Sequence, residues 1–170
     1  GEYKECLMYL INIVDEQLIE KVSQQKKTAI DTINIIVGNS ADPSNNHIEI
    51  LKKLVVYNKY NIRLIVPLSY GDKKHAERVV SYGHQEFGGK FEPLAEFIPI
   101  NEYEDILDSV DIAVFNHRRQ QAMGNTITLL AKGKTVYMQR SQTHSQFLSS
   151  LGITFFDVKN FSLEKLTEEA

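Results

Sequence analysis

Residues 112–126 read IAVFNHRRQQAMGNT, a short apolar run followed by a polar stretch with two adjacent arginines. The run Ile112–Phe115 predicts a buried strand, and the following residues, Ile127–Lys132, predict a helix. Backbone N–H groups at a helix start lack partners and carry partial positive charge, to which Arg118 and Arg119 add full charges. The stretch therefore predicts a loop that binds a phosphate or diphosphate, although a polar surface connection would have the same composition.

Apolar runs and amphipathic segments alternate on both sides of this loop. The β-branched run Thr32–Val37 is typical of a strand buried on both faces of a parallel sheet. We predict further strands at Ile62–Val66, Glu96–Ile98, Asp111–Phe115, Lys134–Met138 and Ile153–Phe156. Such alternation predicts an α/β fold, a Rossmann-like doubly wound parallel sheet of about six strands with helices on both faces.

Helix boundaries follow from capping signals. Asn46 with Glu49, and Asn101 with Glu104, have the spacing of capping boxes. The predicted helices are Asn46–Tyr57, Asp72–Tyr82 with Gly83 just beyond its end, Asn101–Leu107, and Ser141–Leu151 closed by Gly152. At the N-terminus, an apolar face between Tyr3 and Lys27 predicts one more helix. We therefore divide the chain into a helix and linker, residues 1–29, and a Rossmann-like domain, residues 30–170.

Composition excludes several classes of function. The 170 residues are 42% hydrophobic and 24% charged, which is typical of a soluble domain with one core. A net charge of −3 gives no general attraction to nucleic acid or anionic lipid. The single cysteine, Cys6, excludes a disulfide framework and suits a reducing, cytoplasmic compartment. No signal peptide or membrane span is visible, and Gly1 in place of Met is compatible with truncation or processing.

Ligands of open parallel sheets bind at the carboxyl ends of the strands, near the point where strand order reverses. The residues that follow the predicted strands there are polar and mostly uncharged or basic, which suits a phosphate, a sugar or a base. The candidate ligand-binding residues are Gly38, Asn39, Ser40, Tyr70, Arg118, Arg119, Gln120, Gln121, Gly124, Asn125 and Thr126.

Several of these candidates have a second interpretation. Residues 38–39 are also typical of a tight turn, and Tyr70 could cover the sheet edge or stack on a base. Gly124 could serve to let its helix approach the sheet, and residues 125–126 could cap that helix. Because neighbouring side chains on a short loop point in different directions, we expect only Arg119 of the two arginines to reach a ligand.

Familiar catalytic and cofactor motifs are absent. The residues after the first strand, Gly38–Asp42, form neither G-x-G-x-x-G nor a P-loop, and no G-x-S-x-G elbow occurs. The histidines are too scattered to have a metal-ligand spacing, and His47 is expected at the surface or in a cap. We therefore predict no metal, no cofactor, and no catalytic residue that can be assigned.

Two motifs connect the chain to a known family. Residues 37–40 (VGNS), continuing to residues 44–47 (SNNH), and residues 119–124 (RQQAMG) resemble the 4-acetamido-4,6-dideoxygalactosyl (Fuc4NAc) transferases of enterobacterial common antigen assembly. The resemblance covers Thr32–Phe156 and departs at Ala122, where we expect a glycine. It implies a GT-B glycosyltransferase, in which two Rossmann-like domains face each other and the C-terminal one binds the nucleotide-sugar donor.

On this resemblance the chain is the donor-binding half, and residues 1–29 are the interdomain segment. It implies a dTDP-linked amino-deoxy sugar as donor and a lipid-linked saccharide as acceptor, bound through a missing N-terminal domain. The enzyme would be peripheral at the inner face of the bacterial plasma membrane. Arg119 and the helix beginning near Gly124 would stabilise the leaving diphosphate. Two alternatives stay open: a sugar-nucleotide epimerase-type domain, and a non-catalytic ligand-binding α/β module.

Overall fold

The computed structural model describes residues 32–119 and 121–163, and these residues form one six-stranded parallel sheet. The predicted N-terminal helix and Gln120 lie outside the described residues. The strands are β1 (Ile33–Val37), β2 (Ile62–Pro67), β3 (Phe91–Leu94), β4 (Ile112–Phe115), β5 (Thr135–Met138) and β6 (Phe156–Asp157). The helices are α1 (His47–Leu54), α2 (Lys73–Phe87), α3 (Ile100–Ser109), α4 (Met123–Ala131) and α5 (Thr143–Ser150).

Helices cover both faces of the sheet, as the alternation of side chains along β1 shows. Ile35 and Val37 belong to a core shared with α1 and α2. Ile36 points to the opposite face and belongs to a second core, shared with α3, α4 and α5. Both faces of the strand are therefore apolar because both are buried. The predicted doubly wound, Rossmann-like fold class is confirmed.

The order of the strands, β3-β2-β1-β4-β5-β6, determines where a ligand can enter. The chain moves outward from β1 to β3 on one side, then returns across the sheet and continues from β4 to β6 on the other. Loops after β1 and β4 therefore leave in opposite directions and open a crevice between them. This crevice lies at the carboxyl ends of the strands, where the sequence predicts a ligand site.

The third strand was predicted at the wrong residues. It is Phe91–Leu94, paired with β2 from Leu64, and not Glu96–Ile98. Pro93 is tolerated because β3 is an edge strand. Residues 96–98 instead belong to a loop in which Phe97 is 86% exposed.

The helix α2 also runs further than predicted, through Gly83 to Phe87. A β-carbon at Gly83 would overlap the ring of Phe91. Gly83 is therefore a contact point between α2 and β3 rather than a helix stop, and Gly88, with φ of 54°, takes the C-terminal position.

Neither predicted capping box forms. Asn46 is left-handed, with φ of 53°, and its side chain donates to the carbonyl oxygens of Asn116 at 2.7 Å and Ser44 at 3.2 Å. The helix α3 begins one residue before Asn101, after Pro99, without a side-chain cap. The Asn46 side chain therefore joins the loop after β4 instead of capping α1. The other boundaries differ by a few residues, and β6 lies at the end of the predicted Ile153–Phe156 segment because its pairing with β5 starts at Phe156.

We expect Gly83→Ala to destabilise the chain by about 1–2 kcal/mol. A gain in helix propensity of about 1 kcal/mol is outweighed by overpacking against Phe91. Urea unfolding measures the change. Gly124→Ala is the matched control, since a β-carbon at this other helical glycine meets nothing within 4 Å. If Phe91→Leu cost as much stability in the Gly83→Ala background as in the wild type, the proposed clash would be absent.

Candidate functional site

A cleft of about 380 Å³ lies at the carboxyl ends of β1, β2 and β4. Its volume falls in the range of roughly 300–1,000 Å³ that is typical of small-molecule sites. It is lined by Asn39, Ser40, Asp42, Tyr70, Gly71, Arg119, Gln121 and Ala122. Five of these eight are predicted site residues, while Asp42, Gly71 and Ala122 were not predicted.

The other predicted residues that the structure describes lie around the cleft rather than in its lining. Gly38 is buried beneath it, and Arg118 is exposed outside it, with its backbone N–H donating to the Ser44 carbonyl at 2.9 Å. Residues 124–126 form the first turn of α4, which begins at Met123. Of the two arginines, only Arg119 lines the cleft.

The loop after β1 is held from below by buried polar side chains. Gly38 has φ of 70°, and a β-carbon there would lie 2.5 Å from His47 Nε2 and 2.9 Å from Asn45 Oδ1. Asn45 Oδ1 accepts from the Asn39 backbone N–H at 3.0 Å, and its Nδ2 donates to the Asp42 carbonyl at 3.1 Å. Gly38 therefore makes a close packing contact as well as a turn.

The loop after β2 is attached to the same loop by backbone hydrogen bonds. The Ala41 N–H donates to the Tyr70 carbonyl at 2.7 Å, and the Asp72 N–H donates to the Ala41 carbonyl at 3.2 Å. A β-carbon at Gly71 would lie 2.8 Å from the Ala41 backbone, so the approach requires glycine. The Tyr70 ring is 62% exposed and accepts from Asn39 Nδ2 at 3.3 Å through its hydroxyl oxygen.

Asp42 and Arg119 face each other across the cleft and form an ion pair. Hydrogen bonds from the Ser44 hydroxyl and backbone N–H, assisted by Arg119, lower the pKa of Asp42 to about 2. With its amide oxygen turned towards Arg119, Gln121 accepts from Arg119 Nε at 2.6 Å. Arg119 therefore has a defined position, with an anion already beside it. Asp42 was not predicted as a site residue because it lies five residues beyond the end of β1.

The start of α4 forms the third wall. Ala122 occupies the left-handed region, with φ of 55°, at the position where the resemblance predicted a glycine. A β-carbon at Gly124 meets nothing within 4 Å, so Gly124 does not serve close packing against the sheet. Asn125 Nδ2 donates to the Tyr103 hydroxyl at 2.9 Å, and Thr126 is buried without a partner for Oγ1, so neither caps the helix.

Four buried histidines lie beneath these loops: His47, His75, His117 and His144. The nearest pair is joined by a contact of 3.1 Å between His47 Nδ1 and His75 Nε2. Burial lowers the pKa of His47 to about 3 and that of His117 to about 4. His47 was predicted at the surface or in a cap, and that prediction was wrong.

Buried polar atoms that have no partner among the described residues gather at this edge. They include Asn39 Oδ1, His47 Nε2, Asn116 Nδ2, Thr126 Oγ1 and His144 Nδ1. Most buried polar groups in folded proteins have a partner, so such a concentration is typical of a site that binds a polar ligand or water.

Metal-binding clusters and membrane-spanning helices are both missing from residues 32–119 and 121–163. These residues contain no cluster of three or more His, Cys, Asp or Glu placed to hold a metal ion. None of their helices has the length and apolar character that crossing a membrane requires.

A family model described as 4-alpha-L-fucosyltransferase, glycosyl transferase group 56, matches residues 2–169. The chain therefore belongs to this glycosyltransferase family. The resemblance to glycosyltransferases predicted from residues 37–47 and 119–124 is confirmed at that level.

Solved structures share the fold at low sequence identity. The N-terminal domain of Candida albicans trehalose-6-phosphate phosphatase matches with a TM-score of 0.61 at 14% identity, over 89% of this chain and 36% of that one. The C-terminal domain of a group 1 glycosyl transferase (LpcC) from Francisella tularensis matches with a TM-score of 0.55 at 14% identity, over 74% of this chain and 65% of that one. A UDP-forming alpha,alpha-trehalose-phosphate synthase from Burkholderia xenovorans matches with a TM-score of 0.59 at 9% identity, over 89% of this chain and 40% of that one. The chain thus spans about a third to two thirds of the length of these proteins.

We expect the free energy of unfolding to fall as the pH decreases below about 6.5. His47 and His117 have folded pKa values of about 3 and about 4, below the usual 6.5, so the unfolded chain binds protons that the folded chain does not. Their contribution is fully present above pH 6.5 and is lost by about 1.4 kcal/mol per pH unit for each histidine. Urea unfolding at about pH 7.5 and about pH 5 measures the slope.

The exposed His84 provides the control for this slope. His47→Gln should reduce the pH dependence of stability more than His84→Gln does. Equal stability of the wild type at the two pH values would contradict the buried, uncharged state of these imidazoles.

Proposed function

We propose that this chain is the donor-binding domain of a glycosyltransferase and that it binds a nucleotide-diphosphate sugar in the cleft between β1 and β4. The observation that carries the proposal is the position of Arg119, which lines this cleft beside the start of α4. Family membership supports the reaction class, since residues 2–169 match a glycosyltransferase family.

Transfer of a sugar requires stabilisation of the diphosphate that leaves as the glycosidic bond breaks. The N-terminal N–H groups of α4 carry partial positive charge, and Gly124 leaves open space through which a phosphate oxygen could approach the backbone. Arg119 adds a full charge at the same place. These groups act as fixed donors, so the charge that develops on the leaving group meets a preorganised environment.

The remaining lining residues suit the uncharged parts of such a donor. Asn39, Ser40 and Gln121 offer amide and hydroxyl groups for hydrogen bonds to sugar or ribose hydroxyls. The exposed ring of Tyr70 offers a face on which a base could stack. Metal-assisted transfer is not part of the proposal, because Arg119 and α4 supply the positive charge.

For the donor we propose a dTDP-linked 4-amino-4,6-dideoxy sugar, and for the acceptor a lipid-linked saccharide in cell-surface glycan assembly of the enterobacterial common antigen type. Support comes from the motifs at residues 37–47 and 119–124, and from the family description, which names a fucosyl group. Fucose and this amino sugar both lack the 6-hydroxyl. The acceptor would be held by a second domain, with residues 1–29 between the domains, at the inner face of the plasma membrane.

We expect a thermal-shift panel of dTDP, UDP, GDP, ADP and NAD to show a rise in melting temperature with dTDP or UDP, because binding to the folded state stabilises it by mass action. Arg119→Ala should lower the affinity for that ligand by about tenfold, the size expected for one charge-assisted contact. Arg118→Ala is the matched control, since it removes the same charge from the neighbouring position outside the cleft. Its effect should stay within about twofold.

Equal losses in the two variants would mean that general charge, and not the Arg119 contact, holds the ligand. The absence of a shift with every diphosphate would contradict the proposed donor site in this chain. Under the proposal the chain alone binds donor without turnover, so transfer to a lipid-linked acceptor by the isolated chain would contradict the two-domain arrangement.

A further inference from the structure

The Asp42 carboxylate lies beside Arg119, at the place where an anionic ligand should bind. Asp42 Oδ2 contacts the Arg119 guanidinium, while Asp42 Oδ1 accepts from the Ser44 N–H at 2.9 Å and from Ser44 Oγ at 2.6 Å. Asp42 is therefore anchored on one oxygen and pairs with Arg119 through the other.

The two charges cancel within the cleft. Among the described lining residues, only Asp42 and Arg119 carry a full charge, so the net charge of the cleft lining is zero. A diphosphate that pairs with Arg119 comes within ion-pair distance of the Asp42 carboxylate. Two like charges at about 4 Å repel each other by about 1 kcal/mol even in water, and by more where water is displaced.

Asp42 cannot avoid this repulsion by accepting a proton or by moving far. Its pKa of about 2 keeps it ionised at neutral pH. Its backbone carbonyl is held by Asn45 at 3.1 Å, and Ala41 is bonded to the loop after β2. An ionised carboxylate is an acceptor only, so a ligand that displaces it from Arg119 must offer it a hydrogen-bond donor.

We propose that Asp42 is a specificity-determining residue of this cleft: it pairs with Arg119 in the free protein and admits only ligands that combine an anion for Arg119 with a hydroxyl or N–H donor for Asp42. A nucleoside diphosphate or a nucleotide sugar has both groups, through its ribose or sugar hydroxyls. Sulfate, which carries no hydroxyl at neutral pH, offers only the anion and is disfavoured. This inference rests on the proposed function and names how the same site selects its ligand.

The test is calorimetric titration of sulfate, and of the nucleoside diphosphate that gives the largest shift in the panel, into the 170-residue chain at neutral pH. The wild type should bind the nucleoside diphosphate more tightly. In Asp42→Asn, affinity for sulfate should rise by about fivefold or more, because a charge at about 4 Å is removed. Affinity for the nucleoside diphosphate should rise by less than twofold or fall, because the lost acceptor offsets the lost repulsion.

The Asp42→Asn variant should fold, because its amide keeps an oxygen for the Ser44 N–H and Asn is as good a cap as Asp. Asp72→Asn is the matched control: Asp72 also caps a helix at this edge, accepting from the His75 N–H at 2.6 Å, and is not a lining residue. It should leave both affinities within about twofold, which removes long-range charge as an explanation.

Three results would overturn the inference, and they separate it from the proposed function. If Asp42→Asn changed both affinities by the same factor, Asp42 would act as a charge and not as a selector. A loss of sulfate binding in that variant would mean that Asp42 supports the anion site. If no nucleoside diphosphate bound the wild type, the donor site and the inference would both be wrong, whereas the first two results leave the donor site intact.

Discussion

The buried side-chain amide of Asn45 joins the two walls of the cleft, and the positions of the charged groups depend on it. Its oxygen accepts from the Asn39 backbone and its nitrogen donates to the Asp42 carbonyl, while the same nitrogen contacts the Gln121 side-chain amide at 3.0 Å. The loops after β1 and β4 are joined by a backbone hydrogen bond from the Arg118 N–H to the Ser44 carbonyl, and side-chain contacts supply further links between them. Asn45 therefore determines where Asp42 and Arg119 meet.

The side chains beneath these loops are polar but uncharged, so they do not change the net charge of the cleft. His47 lies directly under Gly38, with its Nε2 at the position that a β-carbon would need. Because burial holds the pKa values of His47 and His117 far below neutrality, neither imidazole adds a positive charge that would compete with Arg119 for an anion. The histidines support the loops by packing, at the cost of stability in acid.

The fold class and the location of the site could be predicted from the sequence because they follow from periodicity and topology. The β-branched run at β1 and the apolar run at β4 identify central strands, and their loops must then meet at the switch point. Asp42 could not be found in this way, because its approach to Arg119 depends on the folding of the loop by Asn45 and Ser44. The third strand was misplaced because the burial of Phe91 depends on its packing against Gly83, a tertiary contact that the local sequence does not indicate.

A cleft with zero local charge sets a limit on how tightly this domain can hold a diphosphate. A nucleoside diphosphate carries more than one negative charge, whereas Arg119 and the α4 dipole, equivalent to roughly half a charge, offset only part of it. Under the proposed function the missing positive charge comes from a second domain that closes over the cleft and also removes water, which strengthens each electrostatic contact. Closure would bring the acceptor to a donor that has already displaced Asp42 from Arg119. Stabilisation of the leaving diphosphate is then complete only when the acceptor is in place, which protects the donor from hydrolysis.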